Sequence, residues 1–441
     1  MINFLEKKLL AKISSRTLKI GIIGLGYVGL NLAIDFARNG YCIYGYDKDS
    51  TKVKKLKASI SYISDISSAI LNNIKDTCNW SNEISSLKLC NVFIICVPTN
   101  IDKNKQPVMS NIKSAGHELN KVLTIGSLVI LQSTSYPGTT ENFLMPIINR
   151  SGLKCSNEYF LAFSSERINP GNKAYTSKST TRVVGGVCES STNISVELLK
   201  TISPIHRVNS PKIAEFSKVL ENSFRWINIG FINEMAILAN SLNINIWEVI
   251  EAANTKPYGF MAFYPNAGTG GHCIPVDPYY LQWLAESNNY SSEYIRLAEV
   301  LDDKVKKKVL NSVESLCSIN KEKVKKVLIV GMSYKSDIND LRESPSIQLA
   351  KCLLQKGYEV WFYDNFFDEI KIEFEGHNKH VYLKKADVLS LENFGVCVIM
   401  IRHKHIKDFE INKIIDHSSH VLDTKNYIAK SQSISKITNL F

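Results

Sequence analysis

The chain has 441 residues, 44% hydrophobic and 22% charged, and 53 Lys and Arg against 42 Asp and Glu leave a formal charge of +11. That length predicts about three domains or two large ones, and the composition excludes a disordered, fibrous or single-module protein. The basic balance favours anionic partners, but its lysines are densest between residues 301 and 326 with few aromatics interleaved, so they read as a solvated surface and not as a nucleic-acid face.

The first residues, MINFLEKKLLAKISSRTLKI, contain no apolar signal core, and no stretch approaches the roughly 18 to 20 apolar residues of a membrane span. Ten scattered cysteines without a CxxC pair fit a reduced, cytoplasmic protein. Apolar β-rich runs at 18–23, 42–46, 92–97 and 127–132 alternate with helix-length patterns, which predicts a doubly wound α/β domain. Ser210 and Pro211 supply an N-cap and a first-position proline, opening a helical pattern through about residue 242. Strand-like runs resume at 327–330, 359–363, 396–401 and 419–422. The expected fold is α/β: two Rossmann-like doubly wound domains, 1–205 and 311–441, joined by a long central helix and a helical region, 206–310.

Gly24, Gly26 and Gly29 of GLGYVG follow the first strand and open a helix. A dinucleotide fingerprint needs that context, with glycines for the turn, for close approach to a pyrophosphate and for helix packing, and with the anion at the helix N-terminus. Eighteen residues after Gly29, Asp47 ends the second strand, where a carboxylate accepts from an adenosine ribose and favours NAD over NADP; Lys48 beside it would soften that choice. The loops VPTN (97–100) and STSYPGTT (133–140) stand at strand ends where ligands gather, yet Ser, Thr and Pro also end strands for conformational reasons alone.

On the central helix Glu215, Lys218, Asn222 and Arg225 are spaced by 3, 4 and 3 and form a polar stripe amid apolar neighbours. Either it is the wet side of an amphipathic helix, or its members have defined partners or a ligand. GTGGHCIPVDP (268–278) sets Cys273 among glycines with Asp277 four residues on. This reads as a nucleophilic thiol with a charge partner in His272 or a distant lysine, or else as a passive thiol in a turn. One His beside one Cys, without a second ligand cluster, predicts no metal site.

These motifs, with SSERINPG (164–171), EFSKVLEN (215–222) and GMSYKSDINDLRESP (331–345), resemble the UDP-sugar 6-dehydrogenases in order and over nearly the whole chain. SYISDIS (61–67) and the segment 256–275 look most like the UDP-N-acetylglucosamine branch, with the N-acetylmannosamine and N-acetylgalactosamine branches close. The resemblance implies a four-electron oxidation of the sugar C6 alcohol to a carboxylate, using NAD twice, for surface polysaccharide synthesis. Cys273 would carry a thiohemiacetal and then a thioester. Lys218 would act as acid/base or stabilise an oxyanion, Asn222 would donate to the same oxygen, Asp277 would help activate water, and Thr134 and Glu166 would position or deprotonate it.

The resemblance further implies NAD contacts from Gly24, Gly26, Tyr27, Val28, Gly29, Asp47, Pro98, Thr99, Ser133, Thr134 and Arg342. UDP-sugar contacts would come from Glu166, Arg167, Lys218, Asn222, Arg225, Tyr264, Gly270, Tyr334 and Lys335. It also implies a homodimer or higher oligomer joined through the central helix, burying residues such as Trp226 and Phe231, with no metal, membrane or nucleic-acid partner. The chain departs from the pattern at Gln132, where an acid is usual, at Ser165 and Asn266-Ala267, which replace proline and Gly-Pro, and at Lys425, which replaces an arginine and its forked contact. UDP-glucose is the alternative substrate. A silent nucleotide-binding scaffold is the alternative class, against which intact Lys218, Asn222, Cys273 and Asp277 argue.

Overall fold

Strands covered on both faces need no polar side, so their sequences run apolar without a break. The computed structural model describes residues 2–63, 65–167, 176–319, 325–374, 380–428 and 436–441. Ser64, the 168–171 part of SSERINPG, and Lys321 and Lys323 of the lysine run lie outside them. Two units are built, Met1–Glu221 with Tyr279–Ser291, and Asn222–Pro278 with Ser292–Phe441.

In the first unit the strands are β1 (Lys19–Ile23), β2 (Cys42–Tyr46), β3 (Cys78–Ser81), β4 (Val92–Ile95), the small pair β5 (Asn100–Ile101) and β6 (Pro107–Val108), β7 (Leu128–Leu131), β8 (Phe160–Phe163), β9 (Arg182–Gly186) and β10 (Ile205–Arg207). Among the described residues the sheet order is β10-β9-β8-β7-β4-β1-β2-β3, parallel except where β9 runs against β8. The order reverses between β1 and β4, so the loops after them open where ligands bind in such sheets. Ile20, Ile22, Ile94 and Ile130 pack on one face, and Phe93, Ile95, Leu131 and Phe163 on the other.

A helix at Ile2–Ser14 precedes β1 and inserts Leu5, Leu9 and Ile13 into the first of those clusters. The predicted strands appear within two residues at each end, but β3, β5, β6, β8, β9 and β10 were not foreseen, nor were the later strands at Ile370–Glu373, His380–Lys385 and Ile437–Asn439. In β9 the apolar run is cut short by Gly185 and Gly186. A Cβ on Gly185 would lie 2.1 Å from the Ser210 carbonyl oxygen, and one on Gly186 would lie 2.4 Å from the Thr192 amide, so packing demands both glycines.

The second unit repeats the scheme with β11 (Lys326–Val330), β12 (Glu359–Tyr363), β13 (Ile370–Glu373), β14 (His380–Lys385), β15 (Phe394–Ile399), β16 (Ser418–Asp423) and β17 (Ile437–Asn439). Its order is β13-β14-β12-β11-β15-β16-β17 among the described residues, parallel except for β13 against β14. The lysine run is less uniformly solvated than its composition implies. Lys304 and Lys307 are exposed, but Lys306 pairs with buried Asp302 at 2.7 Å and Lys326 lies over the Trp361 ring at 4.4 Å. No helix among the described residues is long and apolar enough to cross a membrane.

The central helix spans Pro211–Ser241, and Ser210 Oγ accepts from the Ile213 amide at 3.3 Å. Trp226 is buried, whereas Phe231 is half exposed. Glu215 is fully buried and accepts from Gly138 N at 2.5 Å, Thr140 N at 2.8 Å and Thr140 Oγ1 at 2.6 Å. Burial pushes its carboxyl above the usual range, and those donors oppose the shift. Glu215→Ala, which strands three donors, is expected to cost about 2–4 kcal/mol, read as a lower urea midpoint, while Glu215→Gln keeps an acceptor and loses less.

Candidate active site

The fingerprint loop is shaped by contacts that glycine alone permits. Gly24 has φ +95° and donates to Tyr46 O at 2.8 Å, and a Cβ there would lie 2.6 Å from the Cys96 carbonyl oxygen. A Cβ on Gly29 would sit 1.9 Å from the Gly24 carbonyl oxygen, so the helix Tyr27–Arg38 lies against its own turn. Gly26 differs, because a Cβ there meets nothing within 4 Å. Gly26 is also the N-cap and offers no side-chain acceptor to the first-turn amides, which include those of Tyr27 and Val28. Open space before uncapped amides suits a pyrophosphate.

Asp47 closes this loop. Its carboxylate accepts from Leu25 N at 2.8 Å and Asp49 N at 3.0 Å, and Lys52 stands 3.6 Å away. Lys52, not exposed Lys48, is therefore the cation at this carboxylate. Tyr62 donates to the Leu25 carbonyl on the same loop. The residues present thus fit NAD, with an amide cradle for the diphosphate and a carboxylate for the ribose.

At the neighbouring strand ends Thr99 Oγ1 donates to Thr134 O at 2.6 Å, and Ser133 Oγ to Val97 O at 2.7 Å. The Pro98 carbonyl accepts from Asn111 at 3.0 Å. These groups lace β4 to β7, so the conformational reading of both loops holds alongside any ligand role. Beyond β8, Glu166 accepts through Oε2 from Arg182 at 2.6 Å and Gln132 at 3.1 Å, and through Oε1 from Arg167 N at 2.8 Å. Lys218 Nζ donates to the Glu166 carbonyl at 2.8 Å, and Arg167 pairs with Glu221.

In the second unit Asn222 Nδ2 donates to Asp277 Oδ2 at 2.6 Å, both side chains buried. Asp277 begins the helix Asp277–Ser287, and its amide donates to the Cys273 carbonyl at 2.8 Å. Cys273 itself is exposed. The glycines before it are pressed on Tyr334: a Cβ on Gly270 would lie 2.8 Å from the Tyr334 Cβ, and one on Gly271 would lie 2.7 Å from its ring. Thr269 is pinned by Asp302, and the Gly271 amide by the Arg342 carbonyl at 3.0 Å.

Burial, with Arg342 second, holds the His272 imidazole below its ordinary value, so His272 is neutral at pH 7 and does not supply the thiol's cation. Arg342, bound to Asp340 at 2.6 Å, is a charged side chain within electrostatic reach of Cys273. Burial raises the Tyr334 phenol to about 12, so it remains a donor. Arg225 is exposed and acts electrostatically on Tyr334. Lys335 follows Tyr334 half-buried, and Tyr264 stacks on Trp247 at 6.1 Å.

Residues 18–203 match the NAD binding domain of the UDP-glucose/GDP-mannose dehydrogenase family, 212–304 its central domain and 328–430 its UDP binding domain. The chain is 34% identical over 354 residues to a UDP-N-acetyl-D-glucosamine 6-dehydrogenase of Pseudomonas aeruginosa, covering 79% of this chain and 83% of that one. It is 31% identical over 421 residues to a UDP-N-acetyl-D-mannosamine dehydrogenase of Methanocaldococcus jannaschii, covering 93% and 92%. The chain belongs to the UDP-glucose/GDP-mannose dehydrogenase family. It is an NAD-dependent UDP-sugar dehydrogenase. The solved structure of a UDP-D-ManNAc dehydrogenase from Pyrococcus horikoshii agrees with it at a TM-score of 0.86 and 28% identity, covering 96% of this chain and 99% of that one.

Sequence reasoning missed several groups that shape the dehydrogenase's site. Gln132 drew notice only for the acid it replaces, and Arg182 only begins an apolar run; a charge opening a buried strand was the available signal. Lys425 joins Ser333, Tyr334, Ser346 and Met400 around a small pocket in the second unit. Burial lowers its ammonium to about 8.

An arginine would stay charged throughout this range, so KM for the UDP-sugar is expected to rise with pH through about 8, and Lys425→Arg to flatten that rise. Because the native Lys425 binds its proton less tightly than the unfolded chain does, stability is expected to climb from about pH 8 to about 10.5, checked by melting temperature against pH. Gly26→Ala is expected to leave the melting temperature unchanged while weakening NAD at least roughly tenfold by calorimetry. Gly29→Ala, with its backbone clash, is expected to lower both.

Proposed function

We propose that the dehydrogenase oxidises the C6 alcohol of a UDP-N-acetylhexosamine, UDP-N-acetylglucosamine foremost, to the uronic acid, with Cys273 carrying the second half of the oxidation. The observation that carries this reading is the Cys273 thiol, the exposed one among ten free cysteines. Its carbonyl is bonded to the amide of Asp277, and the Asp277 carboxylate is oriented by Asn222. Alcohol-to-aldehyde oxidation needs no thiol; in aldehyde-to-acid oxidation a thiol converts the carbonyl carbon to a tetrahedral adduct, from which the hydrogen it already carries can leave as hydride.

NAD, when bound, supplies the acceptor for the two hydrides that a four-electron oxidation sheds. Cys273 Sγ adds to the C6 aldehyde and its proton passes to the new oxygen, giving a thiohemiacetal whose C6–H is the second to be removed. The thioester that remains is attacked by water, the C–S bond breaks, and acid and thiol are released. Lys218 and Asn222, one turn apart on the central helix, are assigned to the C6 oxygen, Lys218 as acid/base and Asn222 as donor. Asp277 supports water activation, and Glu166 and Thr134 position the hydrolytic water.

Residues 1–205 serve NAD, 311–441 the UDP moiety with Tyr334 and Lys335, and 206–310 carry the thiol loop. The N-acetylhexosamine rests on the relative from Pseudomonas aeruginosa. UDP-N-acetylmannosamine is the second reading, favoured by the Pyrococcus horikoshii structure. The free thiols suit a reducing compartment. A homo-oligomer is supported by the exposed apolar side chains Ile213, Phe216, Leu220, Phe224, Phe231 and Leu238, recurring every three to seven residues on the central helix.

The test is NADH formed per sugar consumed, with product mass, for UDP-N-acetylglucosamine, UDP-N-acetylmannosamine, UDP-N-acetylgalactosamine and UDP-glucose in parallel. Two NADH and a uronic acid are expected, fastest with UDP-N-acetylglucosamine. One NADH with free aldehyde would overturn the thiol's role, and none with any sugar would leave a binding protein. Cys273→Ser is expected to abolish acid formation with NAD affinity retained, and full acid formation by that variant would sink the mechanism.

A further inference from the structure

Glu166 is held more firmly than a carboxylate at a strand end requires. Leu131 of β7 lies beside Phe163 of β8, and Phe163 lies across from Gly185 of β9. Continuing those registers brings Gln132 and Arg182 to the two sides of the chain that leaves β8. Both side chains reach one atom, Glu166 Oε2, Arg182 at 2.6 Å and Gln132 at 3.1 Å. Arg182 is 1% exposed and Gln132 2%. Packing alone does not call for this, since apolar residues of like volume replace a buried ion pair at little or no loss of stability.

Two further features give the cluster a direction. Gln132 Oε1 and Arg182 Nη1, the atoms next to those bound to Glu166, are buried and have no hydrogen-bond partner among the described residues. An acceptor and a donor left over on the flanks of one carboxylate can take one more hydrogen-bonding group, and the hydrolytic half of the reaction brings one, its water. The charge is also set. Glu166 faces the cation Arg182, with Asp35 and Cys96 within electrostatic reach, while Lys218 holds its carbonyl and Arg167 is turned to Glu221. Gln132 supplies an N–H without charge, where a second carboxylate would compete for the same arginine and have to take up a proton.

We infer that Gln132 and Arg182 are positioning residues for thioester hydrolysis, which fix the Glu166 carboxylate by Oε2 and so orient it toward water. The inference rests on the assignment of Glu166 to that half-reaction. Loosening Glu166 slows water attack and leaves both oxidations fast, so the acyl enzyme accumulates.

The test compares wild type, Gln132→Met, Gln132→Glu and Glu166→Gln in rapid-mixing NADH assays from pH 6 to 9, with intact mass of the quenched enzyme. Gln132→Met is expected to lower kcat roughly tenfold or more, with KM within about twofold, a burst approaching two NADH per subunit, and acylated Cys273 in the mass spectrum. Gln132→Glu is expected to work within about threefold of wild type at pH 6, where its protonated carboxyl still donates to Glu166. It is then expected to fall roughly tenfold or more by pH 9 as the shared proton is lost, a descent wild type lacks.

If Gln132→Met does not fold, the pH profile of Gln132→Glu decides alone. A Glu166→Gln enzyme that stalls as the thioester, beside Gln132 variants with wild-type kcat, no burst and a wild-type profile, would overturn the inference and leave the Glu166 assignment standing. Wild-type acid release by Glu166→Gln would overturn that assignment, and the inference with it.

Discussion

Asp47 accepts from the Leu25 amide at 2.8 Å, and Asp364 accepts from the Met332 amide at 2.7 Å; on this repeated bond the two nucleotide-binding halves are built. In each, the glycine one residue earlier has a positive φ and donates to the carbonyl before the aspartate, Gly24 to Tyr46 O and Gly331 to Tyr363 O. In each, the second carboxylate oxygen accepts from the amide two residues on, Asp49 or Phe366. The turn after the first strand is thereby clamped to the end of the second. An L-residue would strain both glycine positions, and its Cβ would strike the next parallel strand's carbonyl, Cys96 or Ile401. The halves then diverge by one contact. Asp364 is sealed by His403 at 3.1 Å, with neither exposed, whereas the Asp47 side chain keeps 10% of its surface exposed and stands 3.6 Å from the Lys52 ammonium. A ribose can reach the first carboxylate and not the second, so one architecture serves two ligand chemistries.

The central helix resolves an ambiguity that composition left open. Its polar stripe is neither wet nor spare. Glu215 is spent on the loop at 138–140, Lys218 on the Glu166 carbonyl and Asn222 on Asp277, which leaves Arg225 as the exposed member. A buried polar group without a partner would cost more than its packing returns, so these side chains are held in single orientations. Lys218 and Asn222 stand one turn apart on this helix. Orientation of this kind is what an oxyanion needs, since donors that must reorganise as charge develops stabilise it less.

What could be read from the sequence was whatever depends on local pattern. The strands at Cys42–Tyr46 and Glu359–Tyr363 appear with the predicted ends, because an apolar run flanked by turn residues has one reading. The fingerprint glycines and Asp47 carry their own spacing. The rest depends on partners distant in sequence. Nothing adjacent to Arg182 shows that it meets Glu166, and nothing near Glu215 shows three donors from a loop 75 residues away. The strand at Arg182–Gly186 was hidden for the same reason, its glycines being required by Ser210 and Thr192 and not by their neighbours. The lysine run shows the converse error: composition described Lys306 as solvated, but only the fold brings Asp302 to it.

The thiol loop shows why a charge partner adjacent in sequence is a poor guide. His272 touches Cys273 along the chain, yet burial and the nearby Arg342 both disfavour its proton. The same Arg342 that suppresses the imidazolium is held by Asp340 and remains a cation at every pH the protein survives. A histidine partner would give the thiol an environment that switches near neutrality, whereas a guanidinium gives one that does not. Tyr334 completes the arrangement from below. Its ring fills the space a side chain at Gly271 would need, its Cβ crowds one at Gly270, and its phenol keeps its proton. The loop can therefore expose sulfur to a substrate while its backbone stays pressed on a rigid aromatic surface, the combination of access and fixed geometry that a reusable nucleophile requires.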